Sequence, residues 1–186
     1  MSHRILERAF FDDEVTRIAR RLLGCQLEHA GVRGTIVECE AYHESEPACH
    51  AHIGETRRNR TMFESGGHFY VYRIHQVFCC NIVTGPAGLG AAVLIRALEV
   101  TAGIDLARQR RGDRPQRDWT NGPGKLCRAL AIDLRLDGSD LCDLDAPVRL
   151  FERPVPIDAA SIEESRRIGI SKAKELPWRF RIAGKK

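Results

Sequence analysis

Apolar residues recur at helical spacing in the segment DDEVTRIARRLLG near the N-terminus. One face of a helix over this segment carries five apolar side chains, those of Val15, Ile18, Ala19, Leu22 and Leu23. The pattern therefore predicts an amphipathic helix that Asp12 or Asp13 caps and that Gly24 ends.

Three later stretches carry the signals of β-strands. RGTIVECEAY (33–42) is rich in β-branched residues, and HFYVYRIHQVFCCNIVT (68–84) predicts two antiparallel strands joined near His75 and Gln76. The turn signal GPAGLG then precedes AAVLIRALEV (91–100), an apolar run interrupted only by Arg96. This run predicts a buried strand, and a helix follows it from about 102 to 110.

The remaining segments complete an irregular order of helices and strands. DWTNGPGKLCRALAID predicts a loop that opens a short helix, while APVRLFE and WRFRI predict late strands. No repeat or low-complexity linker divides the chain. We therefore expect one α+β domain over 1–186, built around a curved, largely antiparallel β-sheet with peripheral helices and a protruding β-hairpin, and not a doubly wound parallel fold.

Composition supports a single globular domain, since 43% of the 186 residues are hydrophobic and 29% are charged. No apolar run has the length of a signal peptide core or a membrane span, so we expect a cytoplasmic protein without membrane contact. Seven cysteines without a CxxC pair favour free thiols over a disulfide framework.

Positive charge is concentrated in three clusters, although the net charge is only +4. They are RRNR (57–60), RQRRGDRPQR (108–117) and RFRIAGKK (179–186). Such clusters suit a polyanion such as nucleic acid, but they are equally typical of a solvated surface. Charge alone leaves both interpretations open.

The stretch TIVECEAYHESEPACHAH (35–52) concentrates candidate chemistry. In an extended strand Glu38, Glu40 and Tyr42 share one face, which lines either solvent or a pocket. The opposite face, facing the core, consists of Val37, Cys39 and Ala41. His50 and His52 would share a face if the chain is extended there, and this would form half of a metal site.

Metal-binding patterns are not completed elsewhere in the chain. A zinc deaminase requires a Pro-Cys-x-x-Cys pair, whereas Cys79 and Cys80 are adjacent. A zincin requires two histidines four apart on a helix, whereas His-Ala-His lies in a proline-containing loop. We therefore expect neither a metal nor another cofactor.

Five segments resemble a known family in their order and content. VECEAYHESEPACHA, RRNRTMF, FYVYRIHQVFCCN, AAVLIRALE and NGPGKLCRALAI follow one another as the motifs of the alkyladenine DNA glycosylase family do, the mammalian-type 3-methyladenine DNA glycosylases. The resemblance extends from the first helix to PWRFRIAG. It implies one catalytic domain that works as a monomer on double-stranded DNA and associates with the bacterial nucleoid.

The activity implied by this resemblance is base excision repair. Family members flip alkylated or deaminated purines out of the duplex and hydrolyse the N-glycosidic bond, which leaves an abasic site. Their range includes 3-methyladenine, 7-methylguanine, hypoxanthine and ethenoadenine. Glu40 matches the glutamate that activates the attacking water, and Arg96 matches an arginine that holds this water and a neighbouring phosphate.

The resemblance also assigns the pocket for the flipped base. Its walls match Tyr42, His50 and Tyr72. Asn81 matches a steric gate against the 2-amino group of guanine. Tyr70 shares a strand face with Tyr72, so spacing does not decide between them. Because the loop before His50 is one residue shorter than in mammalian members, His52 stays an alternative.

One position departs from the mammalian pattern. His75 lies at the predicted hairpin tip, where those members place a tyrosine that wedges into the duplex. The smaller, more polar imidazole would hold the flipped state less strongly.

Two other functions stay open. The first is a damaged-DNA-binding protein without catalysis, and the presence of Glu40 and Arg96 counts against it. The second is a metal-dependent nucleobase deaminase, and the missing Cys-x-x-Cys counts against it.

Overall fold

A computed structural model describes residues 4–185 of the chain. Two parts of the sequence analysed above lie outside the described residues. They are residues 1–3, at the start of the segment in which no apolar leader was found, and Lys186, the last residue of the third basic cluster. Within the described part, no helix has both the length and the apolar character needed to cross a bilayer.

Residues 4–185 form a nine-stranded sheet in which every strand pairing is antiparallel. Its strands are β1 (Gln26–His29), β2 (Val32–His43), β3 (His68–Ile74), β4 (Val77–Val83), β5 (Ala91–Ala102), β6 (Ser139–Asp140), β7 (Val148–Phe151), β8 (Ile162–Ser165) and β9 (Arg179–Ile182). The order across the sheet is β6-β3-β4-β5-β2-β1-β7, while β9 pairs with both β2 and β8. This arrangement confirms the predicted α+β class.

In the described part of the chain, three helices and six short 3₁₀ turns surround the sheet. The helices are α1 (Val15–Leu22), α2 (Ile104–Arg111) and α3 (Pro123–Ala129). The turns are Arg8–Phe11, His50–Ile53, Arg60–Phe63, Gln116–Asp118, Leu134–Leu136 and Ala159–Ser161. The apolar face of α1 is completely buried at Ile18, Ala19 and Leu22, which confirms the predicted amphipathic helix.

The predicted cap of α1 was wrong. Glu14 caps the helix, because its carboxylate accepts the backbone N–H of Thr16 at 3.2 Å. Asp13 instead accepts the N–H of Glu14 at 2.7 Å and pairs with Arg17. The backbone of Glu14 is extended, so the helix begins one residue later than a cap at Asp13 would place it.

Strand β2 carries an irregularity that periodicity did not predict. Its pairing with β5 shifts register on either side of Val37, as Ile36 faces Leu98 and Glu38 faces Ala97. The extra residue is a β-bulge. Val37 is buried but lies outside the main hydrophobic core that contains its predicted companions on that face, Cys39 and Ala41.

The hairpin of β3 and β4 projects beyond the sheet. His75 and Gln76 connect the strands, as predicted, and His75 adopts a positive φ of 51°. The tip is exposed, and it presents Ile74 and Val77, which are 46% and 45% exposed. Helix α3 packs against this hairpin so closely that a Cβ on Gly124 would lie 2.8 Å from that of Val77.

Several short elements escaped prediction. Strands β1, β6 and β8 have four residues or fewer, which is too short for a clear alternation of polar and apolar residues. The chain at His50–Ile53 is a 3₁₀ turn and not the extended segment considered above. All seven cysteines are free thiols, which confirms the prediction from their number and spacing.

The loop before β5 fixes the turn that carries His50. Gly90 donates its N–H to the carboxylate of Glu44 at 2.8 Å, and its carbonyl accepts the N–H of Glu44 at 2.8 Å. A Cβ on Gly90 would lie only 2.3 Å from the Cβ of Ala51, which is buried within the turn. The turn therefore packs directly on the glycine backbone.

We predict that Gly90→Ala lowers the free energy of unfolding by about 3 kcal/mol, because the added methyl group overpacks a site without room to relax. Gly88→Ala is the matched control: Gly88 has a φ of +91° but no atom near a built Cβ, so backbone strain alone should cost about 1 kcal/mol. Urea denaturation measures both values, and equal losses would contradict this packing.

Candidate active site

A cavity of about 390 Å³ opens between strand β2, the β3–β4 hairpin and the segment 168–172. Five of the residues predicted for the site line it: Tyr42, His50, Tyr72, Asn81 and Arg96. Glu40 lies beneath it, in contact with Tyr42 and Arg96. His75 lies at the hairpin tip and does not line the cavity.

The carboxylate of Glu40 is held by three donors and has no exposed surface. Its Oε1 accepts the backbone N–H of Ile168 at 2.7 Å. Its Oε2 accepts the hydroxyl of Tyr42 at 2.8 Å and Nη1 of Arg96 at 3.4 Å. All three donor residues line the cavity, so Glu40 lies directly under the cavity floor.

The two glutamates on this face of β2 have opposite electrostatic environments. Burial raises the pKa of Glu40 above its usual value, although Arg96 and the N–H of Ile168 act in the other direction. Burial also acts to raise the pKa of Glu38, but hydrogen bonds and charges from Arg179 and Arg96 outweigh it and lower that pKa. Such divergent carboxyl groups are typical of acid–base sites.

Arg96 has a structural and a site-facing partner. Its Nε donates to Oε1 of Glu38 at 2.9 Å, and the same oxygen accepts Nε of Arg179 at 2.8 Å. Nη1 extends to Glu40 and the guanidinium lines the cavity. The arginine within an apolar strand therefore pairs with a carboxylate and also reaches the site.

The tyrosines of β3 occupy different depths. Tyr70 is 1% exposed, and its hydroxyl lies 3.1 Å from Nδ1 of His50. Tyr72 is less deeply buried, and its ring centroid lies 4.6 Å from that of His50 in an edge-to-face contact. Both rings line the cavity, so Tyr72 presents more surface there while Tyr70 supports His50.

The 3₁₀ turn separates the two candidate histidines. His50 lines the rim of the cavity, whereas Nδ1 of His52 lies 2.8 Å from the carbonyl of Glu44, away from it. The geometry favours His50. The side chain of His50 keeps an exposed face, but the neighbouring residues partly desolvate it, and this desolvation together with the charge of Arg58 lowers its pKa and favours the neutral imidazole.

Asn81 lies on the cavity wall at a fixed orientation. Its side chain is buried, and Nδ2 donates to the carbonyl of Tyr70 at 3.1 Å. Because β4 pairs Asn81 with Leu94 of β5, the sheet itself positions this amide. This hydrogen bond to the backbone also gives Asn81 a structural role within the sheet.

Sequence reasoning missed one wall of the cavity. Residues 168–172 line it but belong to no helix or strand. Arg167, the preceding residue, is buried and binds the carboxylate of Glu46 at 2.6 Å. The segment RRIGISK has no periodicity, and its glycine and paired arginines were the only available signals.

The first basic cluster lies beside the cavity. Arg57, Arg58 and Arg60 are exposed, and Arg58 donates to the carbonyl of Arg73 on the hairpin at 3.3 Å. The guanidinium group of Arg58 thus lies against the hairpin. The position suits contact with a polyanion that approaches the cavity.

Several residues of the other two clusters are engaged within the protein. In the second, Arg108 pairs with Asp113 at 2.9 Å and Arg110 donates to two backbone carbonyls. In the third, Arg179 and Arg181 pair with glutamates, and Lys185 pairs with Glu99 at 2.8 Å.

Within residues 4–185, no group of three or more His, Cys, Asp or Glu side chains is arranged to hold a metal ion.

Comparison with known proteins identifies the family. A family model described as methylpurine-DNA glycosylase matches residues 9–186. The chain belongs to the methylpurine-DNA glycosylase family. This membership confirms the resemblance stated from the motifs and the predicted enzyme class, a DNA glycosylase.

Curated relatives of this glycosylase are similar over nearly their whole length. A protein of Methanoculleus marisnigri is 44% identical over 96% of this chain and 95% of its own, and one of Carboxydothermus hydrogenoformans is 43% identical over 98% and 97%. One of Agrobacterium fabrum is 44% identical over 95% and 88%. Each carries the name "Putative 3-methyladenine DNA glycosylase".

The pKa shifts in this glycosylase predict opposite effects of two substitutions on stability. A raised folded-state pKa means that the ionised carboxylate of Glu40 destabilises the fold above that pKa. We expect Glu40→Gln to raise the unfolding temperature at about pH 8, and the gain to vanish as the pH falls to about 4.

Glu38→Gln is the matched control for this prediction. Because the pKa of Glu38 is lowered, its charge stabilises the fold at neutral pH, and this contribution is lost as the pH falls through the folded-state pKa. The variant should therefore unfold at a lower temperature at about pH 8. Calorimetry across pH measures both, and shifts of the same sign would refute the electrostatic assignment.

Proposed function

We propose that this chain excises alkylated or deaminated purines from double-stranded DNA in base excision repair. The observation that carries the proposal is a carboxylate of raised pKa directly beneath a cavity walled by tyrosines. The family and the names of the relatives, which specify 3-methyladenine, support the substrate class. The substrate range then includes 3-methyladenine, 7-methylguanine, hypoxanthine and ethenoadenine.

The walls of the cavity would bind an extruded base by stacking. Tyr42 and Tyr72 present aromatic surface to it, and base–aromatic stacking contributes about 1–3 kcal/mol per base. Alkylation at ring nitrogen makes a purine cationic, and a cation is attracted to the face of an aromatic ring. The neutral imidazole of His50 does not repel that charge.

Glu40 would act as the general base on water. Its raised pKa makes the ionised form a better proton acceptor than an ordinary carboxylate. Arg96 contacts Oε2 of Glu40 at 3.4 Å and lines the cavity, so both groups would hold a water that lies beside them on the cavity floor. The negative charge also stabilises the sugar as it becomes positive when the N-glycosidic bond breaks.

Asn81 would restrict the bases that enter. Its amide is fixed by the carbonyl of Tyr70, so it does not swing away from an added substituent. The 2-amino group of undamaged guanine would meet this rigid wall, whereas in 7-methylguanine the attraction of the cationic ring to the aromatic walls would offset that cost. Exclusion of undamaged guanine by Asn81 is therefore part of the proposal.

The hairpin would hold the duplex open. His75 protrudes at its tip between the exposed apolar side chains of Ile74 and Val77. Entering the gap left by the extruded nucleotide, these groups would offset part of the lost stacking. Arg58 on the hairpin and the exposed Arg57 next to it in sequence would contact phosphates. All these groups come from one chain, which supports action as a monomer.

We predict that Glu40→Gln lowers the single-turnover rate of base release by at least about 10²-fold, because general-base catalysis is lost. Duplex oligonucleotides, each with one of the four lesions, are incubated with the protein and treated with hot alkali to cleave abasic sites. Glu99→Gln, an exposed carboxylate of β5 paired with Lys185, is the control and should retain the rate.

Two outcomes would favour the other functions. Tight binding of damaged duplex without release of any base would indicate a binding protein without catalysis. Conversion of the base while it stays attached to its sugar, with inhibition by a chelator, would indicate a deaminase. No strand cleavage with any of the lesions would refute the proposed excision.

We predict that the size of the group at position 75 determines how much nucleotide stays flipped. His75→Asn keeps a residue that tolerates positive φ but removes the ring, and should lower excision about tenfold. His75→Tyr should increase the flipped fraction, which 2-aminopurine fluorescence beside the lesion reports. Unchanged DNA affinity and excision in both variants would show that His75 does not enter the duplex.

A further inference from the structure

Arg167 connects strand β2 with the irregular wall of the cavity. Its side chain is completely buried. Nη1 donates to the carbonyl of Ala41 at 3.0 Å and to Oε1 of Glu46 at 2.6 Å, and Nη2 donates to the carbonyl of Ala173 at 3.4 Å. One guanidinium thus joins the strand, the loop after it and the segment after β8.

The same guanidinium lies over two aromatic rings. Its central carbon is 4.6 Å from the ring centroid of Tyr42 and 5.5 Å from the ring of Trp178. Tyr42 donates its hydroxyl to Glu40, and the N–H of Ile168, the residue next to Arg167, also donates to Glu40. Arg167 therefore adjoins two of the three donors that hold the carboxylate.

The segment 166–178 has no strand pairing of its own to fix these donors. Apart from the contacts of Arg167, it is joined to β2 by the bond from Ile168 to Glu40 and by the bond from Ala41 to the carbonyl of Trp178, 2.9 Å long. A buried ion pair is a costly anchor, and apolar packing of similar volume often stabilises a fold better. A planar guanidinium fixes the orientation of the groups that it bonds to, which apolar packing does not do.

We propose that Arg167, paired with Glu46, is a positioning residue that holds the ring of Tyr42 and the N–H of Ile168 in place around Glu40. The inference deepens the proposed function and rests on it. Arg167 touches neither the cavity nor a reacting atom, so it acts through these two neighbours.

The expected consequence is a change in the acidity of Glu40. Its charged and titratable surroundings come from four elements and are Glu38, Tyr42, Arg96, Arg167 and Arg179. The N–H of Ile168 lowers the pKa of Glu40, which burial raises. If the wall shifts and this bond lengthens, the pKa of Glu40 rises further, and more of the base is protonated at a given pH.

The test is the double variant Arg167→Gln/Glu46→Gln, which leaves no buried charge without a partner. Its matched control is Arg33→Gln/Glu28→Gln at the other end of β2. There Arg33 pairs with Glu28 at 2.5 Å and lies 4.7 Å from the ring of Phe151, so the same kind of stacked ion pair is removed outside the site.

Two readouts are compared with the parent protein. Single-turnover base release is measured across pH, and the carboxyl carbon of Glu40, assigned by its loss in Glu40→Gln, is titrated by NMR without DNA. We expect the double variant to release base about ten- to a hundredfold more slowly at neutral pH. The acid limb of the profile and the NMR titration should both move to higher pH, while the control leaves them unchanged.

An unchanged NMR titration and acid limb in a folded double variant would overturn the inference, even if the variant is less stable. Should that variant fail to fold, Arg167→Lys decides: it keeps the charge beside Glu46 but not the flat group over Tyr42, and an unchanged rate and titration would overturn the inference as well. Because the NMR titration needs no catalysis, failure of the proposed excision would show separately, as no base release by the parent protein.

Discussion

The site depends on a carboxylate that is kept out of water. A buried charge is stable only when other groups replace its hydration, and Glu40 receives three hydrogen bonds from residues that all line the cavity. These donors come from β2, from β5 and from the segment 168–172. The central strands and the C-terminal segment therefore both position donors around the carboxylate of Glu40.

Glu38 shows how two identical side chains on one strand face acquire different properties. It is bound by Arg96 and Arg179, which keep it ionised, whereas Glu40 has only one contact with a charged donor. Arg96 thus contacts both carboxylates, but it compensates mainly the negative charge of Glu38. The chain thus holds Glu38 as a structural anion and Glu40 as a buried carboxylate with a raised pKa.

The sheet could be predicted from local patterns, whereas the residues of the site were predicted from the family resemblance. Strands β2 to β5 carry strong periodicity, and the resemblance led to Glu40, Arg96 and the residues of the walls. The bulge at Val37 could not be predicted, because it arises from pairing with β5 and leaves no mark on the alternation of residue types. The sequence could not decide between His50 and His52. The 3₁₀ turn that directs only His50 to the cavity follows from packing on Gly90.

Arg167 was missed for a different physical reason. Its partners on the far side, Ala41 and Glu46, are separated from it by more than 120 residues in sequence, and an arginine in a segment without periodicity is usually solvated. Only the fold shows that this one lies between β2 and Trp178. Interactions formed across such distances are invisible to methods that examine one short window at a time.

The irregular backbone of 168–172 gives the cavity two kinds of wall. The strand side is tied into a ladder of hydrogen bonds, so a substitution there disturbs the sheet as well as the ligand. The opposite side carries side chains on backbone that pairs with no strand. New preferences for bases could therefore evolve by exchange of residues such as Ser171 and Lys172, while the carboxylate and the fold beneath it stay as they are.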